Sequence, residues 1–490
     1  MSRFLATRRV FVVIFFLGLF ILAARSIHDP DLWWHLRTGE YMASTGHIPH
    51  QDVFSFTRAG KPWIAHEWLS ELFLYSVFRV AGFGGLIVVF GAIIGAAFVI
   101  TYLRCAGRPY IAAAIVLLGA LAGISAWGVR PQMLSLLFTS ILLALLDRAE
   151  TRDAPQNLWW IAPLMLLWVN VHAGYVVGLV TIVFTLVGWF VENPMDQGLR
   201  PKRNRRVRIL GMVLLASVAV VPLNPNGYEL FRYPFQTLRS HSMQAFIMEW
   251  ASPNFHQANI QPFLALLLLT FAVFAVWPKR PRMSQLLLML GTMLGALTSV
   301  RHVPIFALVV IPEICERISG ALTNRPKFLV QPIHRMSLPK AVVNAVLLVG
   351  MASFVVLRLE YELRVQPDLE ATYFPAAAVS FIEQDHCPAP IFNYYDWGGY
   401  LIWRLYPDYR VFIDGRADVY GDKLMDQFIQ TTQARSGWDQ ILDEYRIRTV
   451  VIPPGNKLAG VLRLRSEWKI EFEDTQAIIF VRRANLTGST

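Results

Sequence analysis

The chain has 490 residues, of which 55% are hydrophobic and only 16% charged, with a net charge of +11. That balance excludes an ordinary soluble domain and fits a chain that meets lipid. The excess of Lys and Arg falls in short segments between apolar runs, so it speaks for orientation in a membrane and not for nucleic acid.

About eleven apolar runs read as spans, because ~20 helical residues cross the hydrocarbon core of a bilayer. The first, Val10–Ala24, follows Arg3, Arg8 and Arg9. It reads as an uncleaved helix, since Ala23-Ala-Arg-Ser-Ile-His28 offers no small-residue cleavage site. A long loop, 25–82, comes next. Its segment His28-Asp-Pro-Asp-Leu-Trp-Trp-His-Leu36 predicts a helix starting at Pro30 with Asp29 as its cap. Trp34, Leu36 and Tyr41 would then lie at a membrane interface. The following runs are Gly84–Leu103, Tyr110–Gly128, Gln132–Leu146, Leu158–Val171, Gly174–Val191 and Ile209–Val221. Pro262–Trp277, Ser284–Val300, Val303–Ile314 and Ala341–Leu357 complete the set. The runs from Leu158 and Val303 are short enough to be re-entrant or buried in a bundle.

With the first arginines in the cytoplasm, the basic segments Arg104/Arg108, Arg148/Arg152, Arg200–Arg208, Lys279/Arg280/Arg282 and Arg317–Lys340 fall on the same side. The expected molecule is a polytopic α-helical membrane protein with a C-terminal soluble α/β domain. Residues 1–358 would form the membrane domain with its long first outer loop, and 359–490 the extracytoplasmic domain. In that tail, β-like runs at Ala389–Phe392, Arg410–Ile413, Thr449–Ile452 and Ala477–Val481 alternate with helical patterns at Ala376–Gln384 and Trp438–Tyr445. Cys105 and Cys315 fall near the cytoplasmic face and Cys387 lies outside, so no disulfide framework is implied.

The unusual polar residues gather on the outer side. The first loop carries Asp29, Asp31, His35, His47, His50, Asp52, His66 and Glu67. Later junctions add Arg130, Asn170, His172, Asn224, Glu249, Arg301 and His302. Polar groups at membrane depth are costly and usually face a cavity or one another. Each has a bland reading alone: a snorkelling arginine, a helix-joining histidine, an Asn-Pro-Asn-Gly turn. Together they predict an outward-facing polar cavity lined by His35, His66, Glu67, Asn170, His172, Asn224 and Glu249. Arg130 and Arg301, with His302, would hold a phosphate, whose oxygens match a guanidinium. Asp29 or Asp31 would act as a base.

The first loop, with its acidic pair and helix after the first span, resembles the C-type glycosyltransferase superfamily (GT-C). Those polytopic enzymes use polyprenyl-linked sugars, and their catalytic Asp lies in the first outer loop. The resemblance implies that role for Asp29 or Asp31. The tail carries Asn393-Tyr-Tyr-Asp-Trp-Gly-Gly-Tyr-Leu-Ile-Trp-Arg404, then Arg410-Val-Phe-Ile-Asp-Gly-Arg416. This is similar to the WWDYG region of oligosaccharyltransferase catalytic subunits, where it binds the acceptor peptide. The resemblance implies acceptor contacts from Tyr395, Asp396, Trp397, Asp414 and Arg416. Both motifs together are similar to a set of bacterial membrane proteins carrying DPDLWWHL early and DWGGYL…FIDGR late. Oligosaccharyltransferases place a second acidic metal motif after the third span. Here Gly128-Val-Arg-Pro-Gln132 holds no acid. Either no metal is used and Arg130 supplies the charge, or Glu67 and Glu249 complete a divalent (Mg or Mn) site.

The expected activity is glycosyl transfer from a polyprenyl-(pyro)phosphate donor to an extracytoplasmic glycan, lipid or protein, in a multi-pass inner (plasma) membrane protein with its N-terminus in the cytoplasm. Membrane lipid is a partner; nucleic acid is not. The alternative is a non-enzymatic GT-C-derived scaffold or assembly factor that binds a partner through its tail. A transporter would need midplane charges and internal repeats, and the sequence shows neither.

Overall fold

The structure is a computed structural model, and it describes residues 7–151, 153–192, 200–241, 243, 247–277, 280–321 and 338–483. Of the basic anchors, Arg3, Arg152, Lys279 and the stretch 322–337 lie outside the described residues. The chain divides into two compact units. One comprises Met1–Arg25, Gly84–Gly227 and Ile247–Glu362; the other comprises Ser26–Phe83, Tyr228–Phe246 and Leu363–Thr490. The first outer loop and the tail, distant in sequence, thus belong to one unit.

The first unit is helical. Across the described chain, six helices are long and apolar enough to cross a bilayer: Trp68–Arg104, Pro109–Ala126, Gln132–Thr151, Arg200–Leu223, Ala258–Val276 and Leu338–Tyr373. Three shorter apolar helices are Arg9–Ala23, Tyr175–Val191 and Met283–Thr298. The chain is a multi-pass membrane protein, but several of the eleven expected runs take other forms. The Leu158 run opens as a 3-10 turn, Pro155–Trp160, and leaves a helix of 11 residues, Ile161–Val171. At ~1.5 Å per residue that helix is roughly half the hydrocarbon thickness. The Val303 run extends instead to Val303–Ala321 and carries Arg317 and Glu313 in an ion pair.

Small residues set the packing of these helices, as expected where lipid removes the hydrophobic drive for association. Gly91 and Gly95 stand one turn apart on the helix Trp68–Arg104. A Cβ at Gly91 would meet Phe20 at 3.0 Å, and one at Gly95 would meet Phe16 at 3.1 Å. The first helix, Thr7–Ala23, therefore lies against a groove made of glycines.

The second unit is α/β. Its sheet runs β1 (Ile391–Asn393), β2 (Thr449–Ile452), β4 (Ile478–Arg482), β3 (Trp468–Glu473). β1 and β2 are parallel, and the other pairs antiparallel. Three expected strands appear and one does not. Val411 makes only an isolated parallel bridge to Ser55 of the first loop, with Phe56 N–H and Val411 N–H each bonded across. The strand Trp468–Glu473 lies at the sheet edge and buries only Trp468, with Lys469, Ile470 and Glu471 all exposed.

The first-loop helix spans Asp31–Thr45 and ends at Gly46, whose φ of 71° supplies the left-handed turn. Trp34 and Leu36 were expected at a membrane interface. They are instead core residues of this unit, 8% and 0% exposed, because the helix packs along Gly398–Leu405 of the tail. Trp33 meets Phe374 and Tyr400 edge to face, at 5.4 and 4.9 Å.

Candidate functional site

In the second unit three sequence motifs close on one another. Asp29 accepts a hydrogen bond from the Asp31 amide at 3.0 Å, the capping role read from the sequence. Asp31 accepts one from Trp34 Nε1 at 3.1 Å. Both carboxylates are half-buried. The glycines of the tail explain how close the segments come. A Cβ on Gly399 would lie 2.6 Å from the Pro30 carbonyl, and one on Gly398 would lie 2.2 Å from the Ile413 carbonyl. A Cβ on Gly415 would lie 1.9 Å from the Asp31 carboxylate and 3.1 Å from Trp34 Nε1. Only hydrogen fits at these points, so the acidic helix start, the Trp-Gly-Gly turn and the Asp-Gly-Arg turn form one junction.

Beneath it lies a buried ion network. Arg416 bonds Asp414 at 2.8 and 2.6 Å and pairs with Asp52 at 2.8 Å. Tyr420 also donates to Asp414, and Ser55 to Asp52. The guanidinium sits 4.5 Å from the Trp63 ring. Asp414 and Arg416 are 0% and 2% exposed. Burial alone would raise the Asp52 carboxyl, but the Arg416 charge and bonds from Ser55 and the Phe54 amide hold it below its usual range. Asp52 was named in the sequence as one more outer-side acid; its pairing with Arg416 had no local signal.

His35, one helical turn after Asp31, lies between two acids. Its ring nitrogens are 3.7 Å from Glu67 and 3.5 Å from Glu71. Glu71, 1% exposed, was not singled out in the sequence. His66 stands 3.2 Å from Glu67 and 4.2 Å, ring to ring, from Tyr233. Burial would lower its pKa, but the charges of Glu67 and Asp418, with hydrogen bonds to Glu67 and Ile64, raise it to about 9. Tyr395 donates to the Gly415 carbonyl at 3.3 Å, and Trp397 Nε1 to the Tyr373 carbonyl at 3.2 Å. Asp396 lines a cavity of about 410 Å³.

In the first unit the segment Met248–Trp250 gathers two of the three expected phosphate ligands, Arg130 and Arg301. Glu249 forms an ion pair with Arg130. Arg301 stacks on Trp250 at 4.7 Å. Ser299 ties the turn down by donating to the Glu249 carbonyl at 2.8 Å. Burial and the neighbouring Arg301 push His302 down to about 4, so it is neutral at physiological pH. Its Nδ1 is buried without a hydrogen-bond partner among the described residues.

The other expected cavity residues of this unit make hydrogen bonds at the helix junctions. Asn170 bonds the Leu166 carbonyl, and Asn224 the Val169 carbonyl, each at 2.9 Å. His172 Nδ1 accepts from the Gly174 amide at 2.8 Å and lies 2.7 Å from Ser135, which also accepts from Trp168. An amide can only donate, so Nδ1 is bare and the ring proton is on Nε2. Among the described residues, no group of three or more His, Cys, Asp or Glu side chains is placed to hold a metal ion.

No family model and no curated protein matches the chain. Solved structures do. ArnT from Cupriavidus metallidurans, bound to undecaprenyl phosphate, is 14% identical with a TM-score of 0.51 over 98% of this chain and 99% of that one. The archaeal oligosaccharyltransferase AglB from Archaeoglobus fulgidus, in complex with an inhibitory peptide and a dolichol-phosphate, is 10% identical with a TM-score of 0.57, over 90% and 69%. The same organism's oligosaccharyltransferase tethered with an acceptor peptide gives 11%, 0.55, 92% and 70%. Both kinds of neighbour are GT-C membrane glycosyltransferases. At such identities the likeness is one of fold, and at that level the resemblance read from the sequence is shown.

Proposed function

We propose that this chain is a membrane glycosyltransferase that moves a sugar or oligosaccharide from a polyprenyl-(pyro)phosphate to an acceptor outside the cytoplasm. The observation that carries the reading is the match in fold over nearly the full chain to a neighbour bound to undecaprenyl phosphate. The roles follow from chemistry. Asp29 or Asp31 deprotonates the acceptor as the glycosyl bond to the phosphate breaks. Arg301, held over the Trp250 ring, takes phosphate oxygens. Arg130 joins by exchanging Glu249 for the phosphate, with neutral His302 as a hydrogen-bonding neighbour.

Two measurements test this. Purified chain in nanodiscs, supplied with an acceptor glycan that takes up the sugar, should release undecaprenyl phosphate from undecaprenyl-phosphate-linked sugars, and Asp29→Asn or Asp31→Asn should slow release at least ~10²-fold. Full turnover in both single variants refutes the base. Arg301→Ala should weaken undecaprenyl phosphate binding about tenfold, with Arg301→Lys only partly restoring it.

A second reading has one observation in its favour. Asp414 and Arg416, expected at the acceptor, lie in a buried network, which suits a scaffold as well as an enzyme. A stoichiometric partner retained by the Asp29 and Asp31 variants, with no turnover in wild type, would select it.

A further inference from the structure

The cavity beside the Trp-Gly-Gly turn lies wholly within the second unit. Its walls are aromatic: Tyr373, Phe374, Tyr394 and Trp397, the last two edge to face at 5.5 Å. Pro453 and Pro454 form a stiff opposite side, and Thr475 and Gln476, from the turn between β3 and β4, add neutral donors and acceptors. His28 stacks on Tyr373 at 5.1 Å at the edge. One carboxylate stands among them. Asp396 is solvent-exposed at the mouth and has no hydrogen bond or ion pair among the described residues, and the surrounding walls raise its carboxyl above the usual range. No Lys or Arg lines the cavity.

These features select a ligand class. An anion is excluded by an uncompensated carboxylate with no cation beside it. A purely apolar ligand would cover that exposed carboxylate and leave it unbonded. A sugar ring meets both demands, because its C–H face lies on an aromatic ring while its hydroxyls donate to an acceptor-only carboxylate. The volume of about 410 Å³ falls in the range for small-ligand sites. We infer that this cavity is a subsite for a neutral saccharide, and that the acceptor of the reaction is a glycan whose terminal unit docks there, with Asp396 bonding its hydroxyls and Tyr394 and Trp397 stacking on its face. The inference rests on the transferase reading and names its acceptor class.

The test is binding to the full chain in nanodiscs, free of sugar-based detergent. Saturation-transfer NMR is run with maltose, cellobiose and N,N′-diacetylchitobiose, and with spermidine as a cationic competitor. At least one disaccharide should bind, and Asp396→Ala and Tyr394→Ala should each weaken it at least tenfold. If the melting transition of Asp396→Ala is lost, Asp396→Asn and the exposed Thr475→Val replace it, with weakening of about threefold or more expected. No binding by any of the three sugars, equal binding by the variants, or displacement by spermidine overturns the inference. A chain that turns over donor with Asp29 or Asp31 dependence but binds no saccharide would sink this subsite and leave the transferase standing. A chain that binds saccharide at Asp396 without turnover would do the reverse.

Discussion

Gly415→Ala is the sharpest perturbation the junction offers. The new methyl carbon would stand 1.9 Å from the Asp31 carboxylate oxygen and 3.1 Å from Trp34 Nε1. Ordinary carbon–oxygen contact begins above 3 Å, so the carboxylate must retreat by at least about 1 Å. It then loses the bond from Trp34 Nε1, now 3.1 Å long, and leaves a buried indole N–H unpaired. Losing a hydrogen bond to a charged acceptor costs about 1.5–3 kcal/mol. The expected result is a chain that still folds, melts a few degrees lower, and binds undecaprenyl phosphate normally. Its turnover should fall ~10²-fold, the usual consequence of a ~1 Å misplacement of a reacting group. Gly460→Ala is the control. It sits in the helix Lys457–Leu462 with no atom within 4 Å of the added carbon, so it should be neutral or slightly stabilising. Release of undecaprenyl phosphate and thermal unfolding are measured side by side. Wild-type turnover in Gly415→Ala would show that the Asp31 position does not matter to the reaction, and would remove Asp31 as the base and leave Asp29.

Asp52→Asn should be far more damaging to stability than any exposed substitution. It leaves the buried Arg416 with a single carboxylate, a loss on the order of 3–5 kcal/mol, read as a large drop in the melting temperature. His66 gives a pH dependence with a defined sign. Its pKa rises from 6.5 unfolded to about 9 folded, so its contribution is complete below about pH 6.5 and is lost as pH climbs through 9. That contribution is on the order of 3 kcal/mol, and His66→Gln should flatten the fall in melting temperature between pH 6.5 and 9; an unchanged slope would refute the pairing with Glu67. Gly91→Leu should disrupt the first helix's seat, since even a Cβ there meets Phe20 at 3.0 Å, and loss of monodisperse protein in detergent would report it.

The local elements were largely legible. The helix after Asp29, the tail's helices near Ala376 and Trp438 and three of its strands follow from capping, turn and alternation signals that span a few residues. Trp468–Glu473 was missed although Trp-Lys-Ile-Glu-Phe-Glu alternates, because its charged face reads as loop. Arg410–Ile413 was over-read: Val411 bridges only to the first loop, and Phe412 packs its ring on Phe56 of that loop and on Phe392 of β1 without joining the sheet ladder. Trp34 was misplaced for the same reason. Aromatics suit both a membrane interface and a core, and only the tail packed on Gly399 decides between them. Nothing local links Asp52 to Arg416, since a buried ion pair between opposite ends of a chain leaves no periodicity.

The two acids of the tail motif then separate on physical grounds. Asp414 accepts from Arg416 and Tyr420 and shares its cation with Asp52, so its charge is compensated at every turn. Such a network is costly to break and fixes one arrangement of the loop against the tail, which is a positioning role. Asp396 has the opposite surroundings: aromatic and proline walls, a raised carboxyl and no cation. An exposed carboxylate at a cavity mouth that makes no ion pair or hydrogen bond among the described residues adds little to the stability of the fold. Substitution should therefore act in opposite ways at the two positions. Asp414→Asn should lower the melting temperature and with it every activity, whereas Asp396→Asn should leave the melting temperature unchanged or higher and affect only ligand recognition. Equal destabilisation at both positions would show that Asp396 is structural as well, and would remove the physical basis for distinguishing them.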